Sequence, residues 1–432
     1  MLIEFSVGNY RSIKSKVTFS MVAANLSSKN KSLDHDNLTY YNKNIKILNS
    51  AVIYGANASG KSNLIKSIAF MRNFILNSSK DTQVSESIKV ESYSLSTATD
   101  KRPSYFEIVF AYDSTTYRYG FEADKEKVHS EWLYISKTRE VNLFERNNDK
   151  IEAKGSFKEG KGLETKTREN ALFLSVCAQF NGDISKLIVR YIQEISIISG
   201  IQDMHYRPYT IKQLENSDES RISVLKMLQK FDFDISDIAT EHLPVNEKSF
   251  PKDMPEGLIK FFLASSSTAI QIKTIHKKYD ESNKHIGSVA FNLDNNESEG
   301  TQKMFSMCGP LLDVLSKGMT LIIDELDARL HPIITRQIIK LFNDKNYNTN
   351  NAQLIFATHD TNLLDNKFFR RDQIWFTEKN MFGETALYSL VGFKIRNDAS
   401  FEKDYIAGKY GAIPFIGDFT RMEVDEDAQK TI

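Results

Sequence analysis

The sequence feature that most constrains the fold is a glycine-rich stretch, GANASGKS, at residues 55–62. It matches the pattern G-x-x-x-x-G-K-[ST], in which the backbone curls so that successive N–H groups point inward. An apolar run precedes it at 47–54, and residues 62–77 repeat apolar side chains with helical spacing. A buried strand, an anion-binding loop and a helix are therefore predicted in that order, and such a unit favours a parallel sheet.

The same stretch, called the phosphate loop below, predicts a site for a nucleoside triphosphate. Lys61 supplies positive charge for the β- and γ-phosphates, and the Ser62 hydroxyl is a ligand for Mg²⁺. ATP and Mg²⁺ are the expected cofactors; GTP stays open because no base-reading motif is present. The residues assigned to nucleotide binding in this stretch are Gly55, Asn57, Ser59, Gly60, Lys61, Ser62 and Asn63.

Two further apolar strands end in chemically useful residues. MTLIIDE ends in Asp324 and Glu325, and LIFATHD ends near His359. Ligands bind at the carboxyl ends of parallel strands, so Asp324 is predicted to hold Mg²⁺ and Glu325 to orient or deprotonate the attacking water. Lys61, Glu325 and His359 are the predicted catalytic residues, with His359 sensing the γ-phosphate. An ordinary loop histidine is the alternative for His359.

Composition limits the class of protein. With 432 residues, two or three packed units are expected. Lys+Arg and Asp+Glu both number 56, which argues against a surface that coats nucleic acid but leaves room for a local basic groove. Cys177 and Cys308 are too few for a disulfide framework or a four-ligand zinc site, and both are predicted to be buried. No run approaches 18 apolar residues, so a cytoplasmic protein without a membrane span is expected.

Changes in periodicity divide the chain into three predicted units. Residues 1–182 are an N-terminal lobe with the phosphate loop and antiparallel strands, including hairpins near 2–22 and 104–135. Residues 183–290 are a mainly helical insertion or lid, and residues 291–432 are a C-terminal lobe. A further hairpin is predicted near residues 269–293, and no heptads indicate a long coiled coil.

The polar stretch DNNESEGTQKMFSM contains Ser298-Glu299-Gly300-Thr301-Gln302, which we call the signature loop, about one helix ahead of Asp324. The order phosphate loop, Ser-x-Gly-x-Gln, hydrophobic-Asp-Glu and strand-His resembles ABC-type ATPases of the SMC/RecF branch. The resemblance implies an α/β fold with a phosphate-loop parallel sheet, an antiparallel β-subdomain and a helical lid. It also implies that Ser298, Gly300 and Gln302 of one protomer complete the γ-phosphate site of another. A polar loop that caps a helix is the alternative.

Three further assignments rest on the resemblance. Gln179, in FLSVCAQF, is the candidate to contact Mg²⁺ and water, with a surface glutamine as the alternative. Arg11, in NYRS, is a candidate nucleotide contact, with an exposed turn arginine as the alternative. Residues 326–328 are similar to the D-loop, which meets the partner protomer.

A narrower resemblance covers residues 1 to about 416 and includes GANASGKSNL, YRYGFE, SEGTQKMF, DELDARLHP and the tail FKIRNDASFEKDYIAGKYGAIP. These segments are similar to AAA ATPase family fifteen, RloA-like ATPases related to the AriA subunit of PARIS-type anti-phage systems. The resemblance implies a homo-oligomeric ATPase that senses a trigger and controls a separately encoded effector in bacterial defence. No chemistry is assigned to the tail. The acidic residues Glu423, Asp425, Glu426 and Asp427 are predicted to be a solvated end rather than a nuclease site.

The alternative function is a DNA-binding repair or maintenance ATPase similar to RecF and SMC. Three basic spots are candidates for DNA contact, although each is more often a solvated helix or loop face. They are Lys277-Lys278, Lys284-His285, and Lys367 with Arg370-Arg371.

Overall fold

The computed structural model describes residues 1–42, 45–80, 83, 86–245, 255, 257, 268–396 and 399–414. Part of the predicted insertion, residues 246–254, 256 and 258–267, lies outside them, and the acidic residues at 423–427 lie outside them entirely. Cys177 and Cys308 are buried, as predicted. No helix in the described ranges combines the length and apolarity needed to span a bilayer.

The strands, in chain order, are β1 (Leu2–Gly8), β2 (Val17–Ser20), β3 (Leu38–Tyr40), β4 (Lys46–Leu48), β5 (Ser50–Tyr54), β6 (Ser104–Tyr112), β7 (Thr115–Ala123), β8 (Val128–Ser136), β9 (Glu140–Asn147), β10 (Lys150–Ala153), β11 (Ser196–Ser199), β12 (Asp237–Pro244), β13 (Thr268–Tyr279), β14 (His285–Asn292), β15 (Thr320–Asp324), β16 (Gln353–Ala357), β17 (Ile374–Lys379) and β18 (Thr385–Ser389). The helices are α1 (Leu33–Asp36), α2 (Lys61–Asn77), α3 (Phe173–Gln179), α4 (Asp183–Gln193), α5 (Arg207–Asn216), α6 (Asp218–Lys230), α7 (Leu293–Asn296), α8 (Glu299–Lys317), α9 (Pro332–Asn343) and α10 (Phe401–Ile406).

The central sheet has the strand order β11-β15-β16-β5-β17-β18. Its first five strands run parallel, and β18 pairs antiparallel with β17. Both faces of the sheet are buried, since in β5 Ala51 and Ile53 join one hydrophobic core while Val52 and Tyr54 join the other. A strand buried on both faces needs apolar residues at successive positions, which explains the unbroken apolar runs in the sequence.

The second large sheet is antiparallel, with seven strands in the order β10-β9-β8-β7-β6-β1-β2. The predicted hairpins β1–β2 and β6–β7 are both present. Asp113 (φ 44°) and Ser114 (φ 60°) take the left-handed backbone that a two-residue hairpin turn requires. Helix α2 packs against this sheet through Phe70 and Phe74, whose rings contact Phe106 and Phe121. The predicted α/β fold, with a parallel sheet behind the phosphate loop and an antiparallel subdomain, is confirmed.

Two segments contain structure that the sequence predictions did not specify. The apolar stretch at 171–183 contains the short helix α3, whose first N–H groups, from Phe173 and Leu174, donate to the buried Glu131 carboxylate. The described part of the 183–290 insertion is mixed, because it holds strands as well as helices α4, α5 and α6. It contributes β11 to the central sheet and carries a three-stranded antiparallel sheet, β12-β13-β14, which includes the predicted hairpin.

Substitution of Glu131 tests whether its buried carboxylate connects the antiparallel sheet to helix α3. Its carboxylate is fully buried and accepts hydrogen bonds from Phe173 N (2.7 Å), Leu174 N (3.0 Å) and the Tyr119 hydroxyl (3.0 Å). Glu131→Ala leaves these donors buried without an acceptor and is expected to lower the free energy of unfolding by about 3 kcal/mol.

The matched control is Glu152→Ala, because the Glu152 side chain is 59% exposed. We expect this substitution to leave the free energy of unfolding almost unchanged. Both values come from urea-induced unfolding. An equal, small effect of the two substitutions would show that Glu131 does not connect the sheet to α3.

Candidate functional site

Three neighbouring parallel strands of the central sheet, β15, β16 and β5, end at one edge, and chemically distinctive residues lie at the end of each. The phosphate loop follows β5, Asp324 ends β15 with Glu325 directly after it, and His359 follows β16. The register sets them side by side, because Phe356 pairs with both Ile323 and Val52. The sheet therefore brings together the predicted Mg²⁺ ligand, the catalytic residues and the phosphate loop.

The phosphate loop has the backbone shape its glycines predict. Gly60 has φ +117°, and a side chain there would overlap Thr385. The Lys61 ammonium is buried inside the loop and donates to Gly55 O (2.8 Å) and Ala56 O (3.1 Å). The first backbone bond of α2 runs from Leu64 N to Gly60 O, and no described side chain caps this helix end. The N–H groups of its first turn are therefore available to an anion.

The phosphate loop is supported from behind by residues that the sequence analysis did not identify. Thr385 at the start of β18 donates to Ser59 O (2.9 Å) and to the Ser12 hydroxyl (2.8 Å). The Ser59 hydroxyl contacts Thr377 of β17 (2.7 Å), so this side chain faces the sheet, and Asn63 donates to Ser12 (2.7 Å). Ser59 and Asn63 thus use their side chains to shape the loop, and their contact with a nucleotide stays a prediction. No local pattern marks Ser12, Thr377 or Thr385, which only the strand order places here.

Asn57 and Ser62 keep accessible side chains in the loop. Asn57 is exposed at the tip, and Ser62 is half-buried in the first turn of α2. Ser62 therefore remains suited to its predicted role as a metal ligand, and Asn57 to contact with a bound nucleotide.

Charges at the sheet edge influence one another. Burial lowers the pKa of Lys61, and the carboxylates of Asp324, Glu325 and Asp327 oppose this. Partial burial, and then the nearby Lys61 charge, lower the pKa of His359 below 6.5, so its imidazole is mainly neutral at pH 7. A neutral imidazole donates from one nitrogen and accepts at the other, which suits contact with a phosphate oxygen or a water.

The residues at this edge fit Mg²⁺. One buried oxygen of Asp324 (Oδ1) has no hydrogen-bond partner among the described residues, and such an atom is costly unless a ligand satisfies it. The described ranges contain no group of three or more His, Cys, Asp or Glu residues arranged around a metal. Mg²⁺ at nucleotide sites is held by one or two protein oxygens together with phosphates and waters. Asp324 and Ser62 are the protein oxygens that would hold it.

The signature loop begins helix α8. Ser298 is exposed and caps the helix, its Oγ accepting from Thr301 N (3.1 Å). Gly300 lies close to the turn after β15, since a Cβ there would stand 3.1 Å from Arg329 O. The carboxylate of Glu299 pairs with the Arg329 guanidinium of that turn (3.4 Å). The negative charge of Glu299 is therefore partly compensated within its own chain.

Gln302 differs from its prediction. Its carbonyl oxygen accepts from Arg207 (3.3 Å), while its amide donates to Glu297 O (3.1 Å) and Asp294 O (3.2 Å). Because the carboxamide is occupied in this way, Gln302 shapes the signature loop rather than presenting a free group to a nucleotide. Ser298 and Gly300 remain the candidates for contact with a partner's nucleotide.

The assignment of Gln179 to Mg²⁺ is wrong. Helix α3 packs at the C-terminal end of α2, where the Ser175 hydroxyl donates to Ile75 O (2.6 Å). The phosphate loop lies at the other end of α2, and the rise of about 1.5 Å per residue separates Lys61 from Ile75 by about 21 Å. Gln179 is an exposed residue at the end of α3.

The strand order places the segment that begins at Gly200 beside Asp324. It follows β11, in which Ser199 pairs with Asp324, and Gly200 N donates to Asp324 O (2.7 Å). The signal in the sequence is a short apolar strand, SIIS, ending in glycine. That signal was missed because the surrounding residues favour helix.

Arg11 lies beside Ser12 but is engaged elsewhere. Its guanidinium pairs with Glu91 (2.6 Å) and lies 5.7 Å from the Tyr10 ring centroid. Contact between Arg11 and a nucleotide stays a prediction.

Several solved structures are similar to this chain. An SMC head bound to the C-terminal winged-helix domain of ScpA is 11% identical, with a TM-score of 0.45, 90% of this chain covered and 97% of that one. The SMC head domain from Thermotoga maritima is 12% identical (TM-score 0.40; 91% and 99% covered). The recombination mediator RecF of the RecFOR pathway is 14% identical (TM-score 0.33; 90% and 98% covered). These scores are low, and they add nothing to what the strands and helices show directly.

Curated proteins provide no match to the chain. A family model does match, over residues 50–365, with the description "AAA domain, putative AbiEii toxin, Type IV TA system". The matched region covers well over half of the 432 residues and runs from β5 through the phosphate loop, the signature loop and β15 to His359. An AAA domain supports the prediction of an ATPase. The chain belongs to this AAA-domain family.

Proposed function

We propose that this protein binds and hydrolyses ATP at sites shared between two copies of the chain, and that this association controls a separately encoded effector. One observation carries the ATPase proposal: the open N-terminus of α2 and the buried Lys61 share one sheet edge with Asp324, Glu325 and His359. That edge combines hydrogen-bond donors for the phosphates with the Glu325 carboxylate, which is placed to orient the attacking water.

Each residue has a distinct task in the proposed reaction. Lys61 and the first turn of α2 bind the β- and γ-phosphates and offset their negative charge. Glu325 orients the attacking water and accepts its proton, while His359 donates a hydrogen bond to the γ-phosphate. When bound, Mg²⁺ would add positive charge at the phosphate oxygens, held by Asp324 and Ser62.

The signature loop supports sharing of the site between copies. Ser298 is exposed at the N-terminus of a 19-residue helix, whose dipole favours an anion. Among the described residues, no hydrogen bond or ion pair joins residues 298–302 to the phosphate loop of the same chain. The loop is therefore free to meet the phosphates bound by a second copy, and ATP would then act as the link between them.

The biological setting is proposed from two sources. The family description refers to an AbiEii toxin and a type IV toxin–antitoxin system. The sequence segments quoted above also resemble RloA-like ATPases and the AriA subunit of PARIS-type systems. Both point to bacterial anti-phage defence, in which assembly driven by ATP would hold or release the effector.

The alternative function is that of a DNA-engaging ATPase, and the basic residues suggested for DNA contact differ in their exposure. Arg370 is buried and paired with Asp34 and Asp372, so it cannot contact DNA as suggested. The β13–β14 hairpin does expose Lys277, Lys278 and Lys284. That hairpin is the observation in favour of DNA binding.

Glu325→Gln tests the catalytic assignment. The amide keeps the size of the side chain but cannot accept a proton, so kcat should fall about 100- to 1,000-fold while ATP still binds. Steady-state phosphate release and a fluorescent-nucleotide titration measure the two effects. Lys61→Ala is the comparison, because loss of a charged phosphate contact should weaken ATP binding about 10- to 150-fold. Normal turnover in the Glu325 variant would remove Glu325 from the mechanism.

Sharing of the site is tested by mixing two inactive variants. Lys61→Ala lacks a working phosphate loop, and Ser298→Arg blocks the signature loop with a bulky cation. A mixed pair of subunits contains one intact shared site out of two. About half of all pairs are mixed after equimolar mixing, so about a quarter of wild-type ATPase activity should return. Activity no higher than that of either variant alone would argue against shared sites.

Effector control and DNA maintenance differ in what the protein binds. For an effector-controlling ATPase we expect the full-length chain to co-purify with the product of a neighbouring gene, and the complex to change in mass between ATP and ADP. DNA binding should be weak at 150 mM salt. Tight DNA binding that weakens steeply from 50 to 200 mM salt, and is lost in Lys277→Ala/Lys278→Ala/Lys284→Ala, would instead support the alternative.

A further inference from the structure

A lysine that has no part in the mechanism above is completely buried beside the catalytic turn. Lys303, on α8, has 0% of its surface exposed. Its ammonium donates to Leu326 O (2.9 Å) and to Ala328 O, two backbone carbonyls just after Glu325. No carboxylate within the described ranges pairs directly with it at ion-pair distance. Burying an amine without a charged partner costs free energy. The presence of Lys303 at this position therefore needs a structural or functional reason.

The turn that Lys303 holds, residues 324–329, has a strained backbone; we call it the acidic turn. Glu325 has φ +58° and Arg329 has φ +61°, a left-handed conformation that residues other than glycine seldom adopt. Such conformations persist only where surrounding contacts impose them. On one side, Leu326 N donates to Ala357 O of β16 (3.1 Å); on the other, the lysine secures the carbonyls that follow Glu325.

The contact between Lys303 and the acidic turn is possible because residue 200 is a glycine. A Cβ on Gly200, which follows β11, would overlap Glu325 O and stand 3.0 Å from Lys303 Nζ. The end of β11, the acidic turn and the amine therefore meet at one point, where there is no space for a side chain. Movement of α8 would act directly on the backbone of Glu325.

The same helix begins at the signature loop, and ion pairs strengthen the connection. Arg329 of the acidic turn pairs with Glu299 at the start of α8 (3.4 Å) and with the buried Asp203 (3.3 Å). Arg207 joins Asp203 (3.1 Å) to Gln302 (3.3 Å). The signature loop and the acidic turn are thus joined through α8, inside one chain.

We propose that Lys303 is a positioning residue that holds Glu325 in its catalytic orientation and ties that orientation to the signature loop of the same chain. This inference rests on the proposed function. The signature loop meets the nucleotide of a partner, whereas Glu325 serves the nucleotide on its own phosphate loop. Lys303 therefore lets engagement at one shared site adjust the acid of the other.

Lys303→Met tests the positioning role, because it removes the amine and keeps most of the volume. Misplacement of Glu325 should lower kcat about 10- to 100-fold, while KM for ATP stays within about twofold. Lys303→Gln, which keeps two N–H donors on a shorter side chain, should recover part of kcat. Lys317→Met is the matched control, since Lys317 lies on the same helix with its side chain 59% exposed, and its kcat should be unchanged. An unchanged kcat in Lys303→Met would overturn the proposal.

Subunit mixing shows on which half of the shared site Lys303 acts. A pair of Lys303→Met with Ser298→Arg has one site with an intact Glu325 turn facing an intact Ser298, so its activity should rise above that of either variant alone. A pair of Lys303→Met with Lys61→Ala has its only working phosphate loop beside the disturbed Glu325, so it should show no gain. The reverse pattern, a gain in both mixtures or a gain in neither would overturn the assignment to Glu325.

The control mixture of Lys61→Ala with Ser298→Arg separates this proposal from the proposed function. If that mixture is inactive, site sharing fails, and the kcat and KM values of the unmixed Lys303→Met protein still decide the positioning role. If Lys303→Met does not fold, as judged by thermal unfolding, Lys303→Gln replaces it in both mixtures. A normal kcat in the folded Lys303→Gln protein would then overturn the proposal, because its shorter side chain cannot reach both carbonyls.

Discussion

The site depends on the parallel pairing of β11, β15, β16 and β5. The carboxyl ends of parallel strands all lie at the same edge of a sheet. Segments that are far apart in the chain therefore converge there. Burial on both faces makes this arrangement rigid, and Lys61 is consequently enclosed among carboxylates rather than surrounded by water. The charge of Lys61 and the unpaired oxygen of Asp324 then become complementary to a triphosphate and its metal.

Precision at this edge comes from contacts that lie outside the recognised motifs. Thr385 and Thr377 hold the phosphate loop from behind, and Gly200 with Lys303 confines the strained turn that carries Glu325. Strained backbone is stable only when its neighbours leave no alternative. The supporting residues therefore determine geometry, while the motif residues provide the chemistry.

The signature loop gives the fold a second functional surface. Ser298 is exposed at the start of α8, whereas Gln302 and Glu299 are engaged within the chain by Arg207 and Arg329. The loop is thus shaped before any partner arrives, which reduces the cost of ordering it on association. If two copies meet through ATP as proposed, the signature loop that completes a neighbour's site is also joined, through α8, to the acidic turn of its own chain.

The sequence by itself determined the features that depend on neighbouring residues. Its glycines determine the phosphate loop, and its apolar residues predict α2, β5, β15 and β16. The acidic pair Asp324-Glu325 marks the end of β15. The interpretation failed at Gln179, because α3 packs at the C-terminal end of α2, away from the phosphate loop. Only the tertiary structure decided that Ser12, Thr377 and Thr385 support the phosphate loop and that Gly200 and Lys303 contact the acidic turn. Their positions follow from strand order and side-chain packing. These connect residues from 23 positions apart (Lys303 and Leu326) to 373 positions apart (Ser12 and Thr385) and leave no periodic trace in the chain.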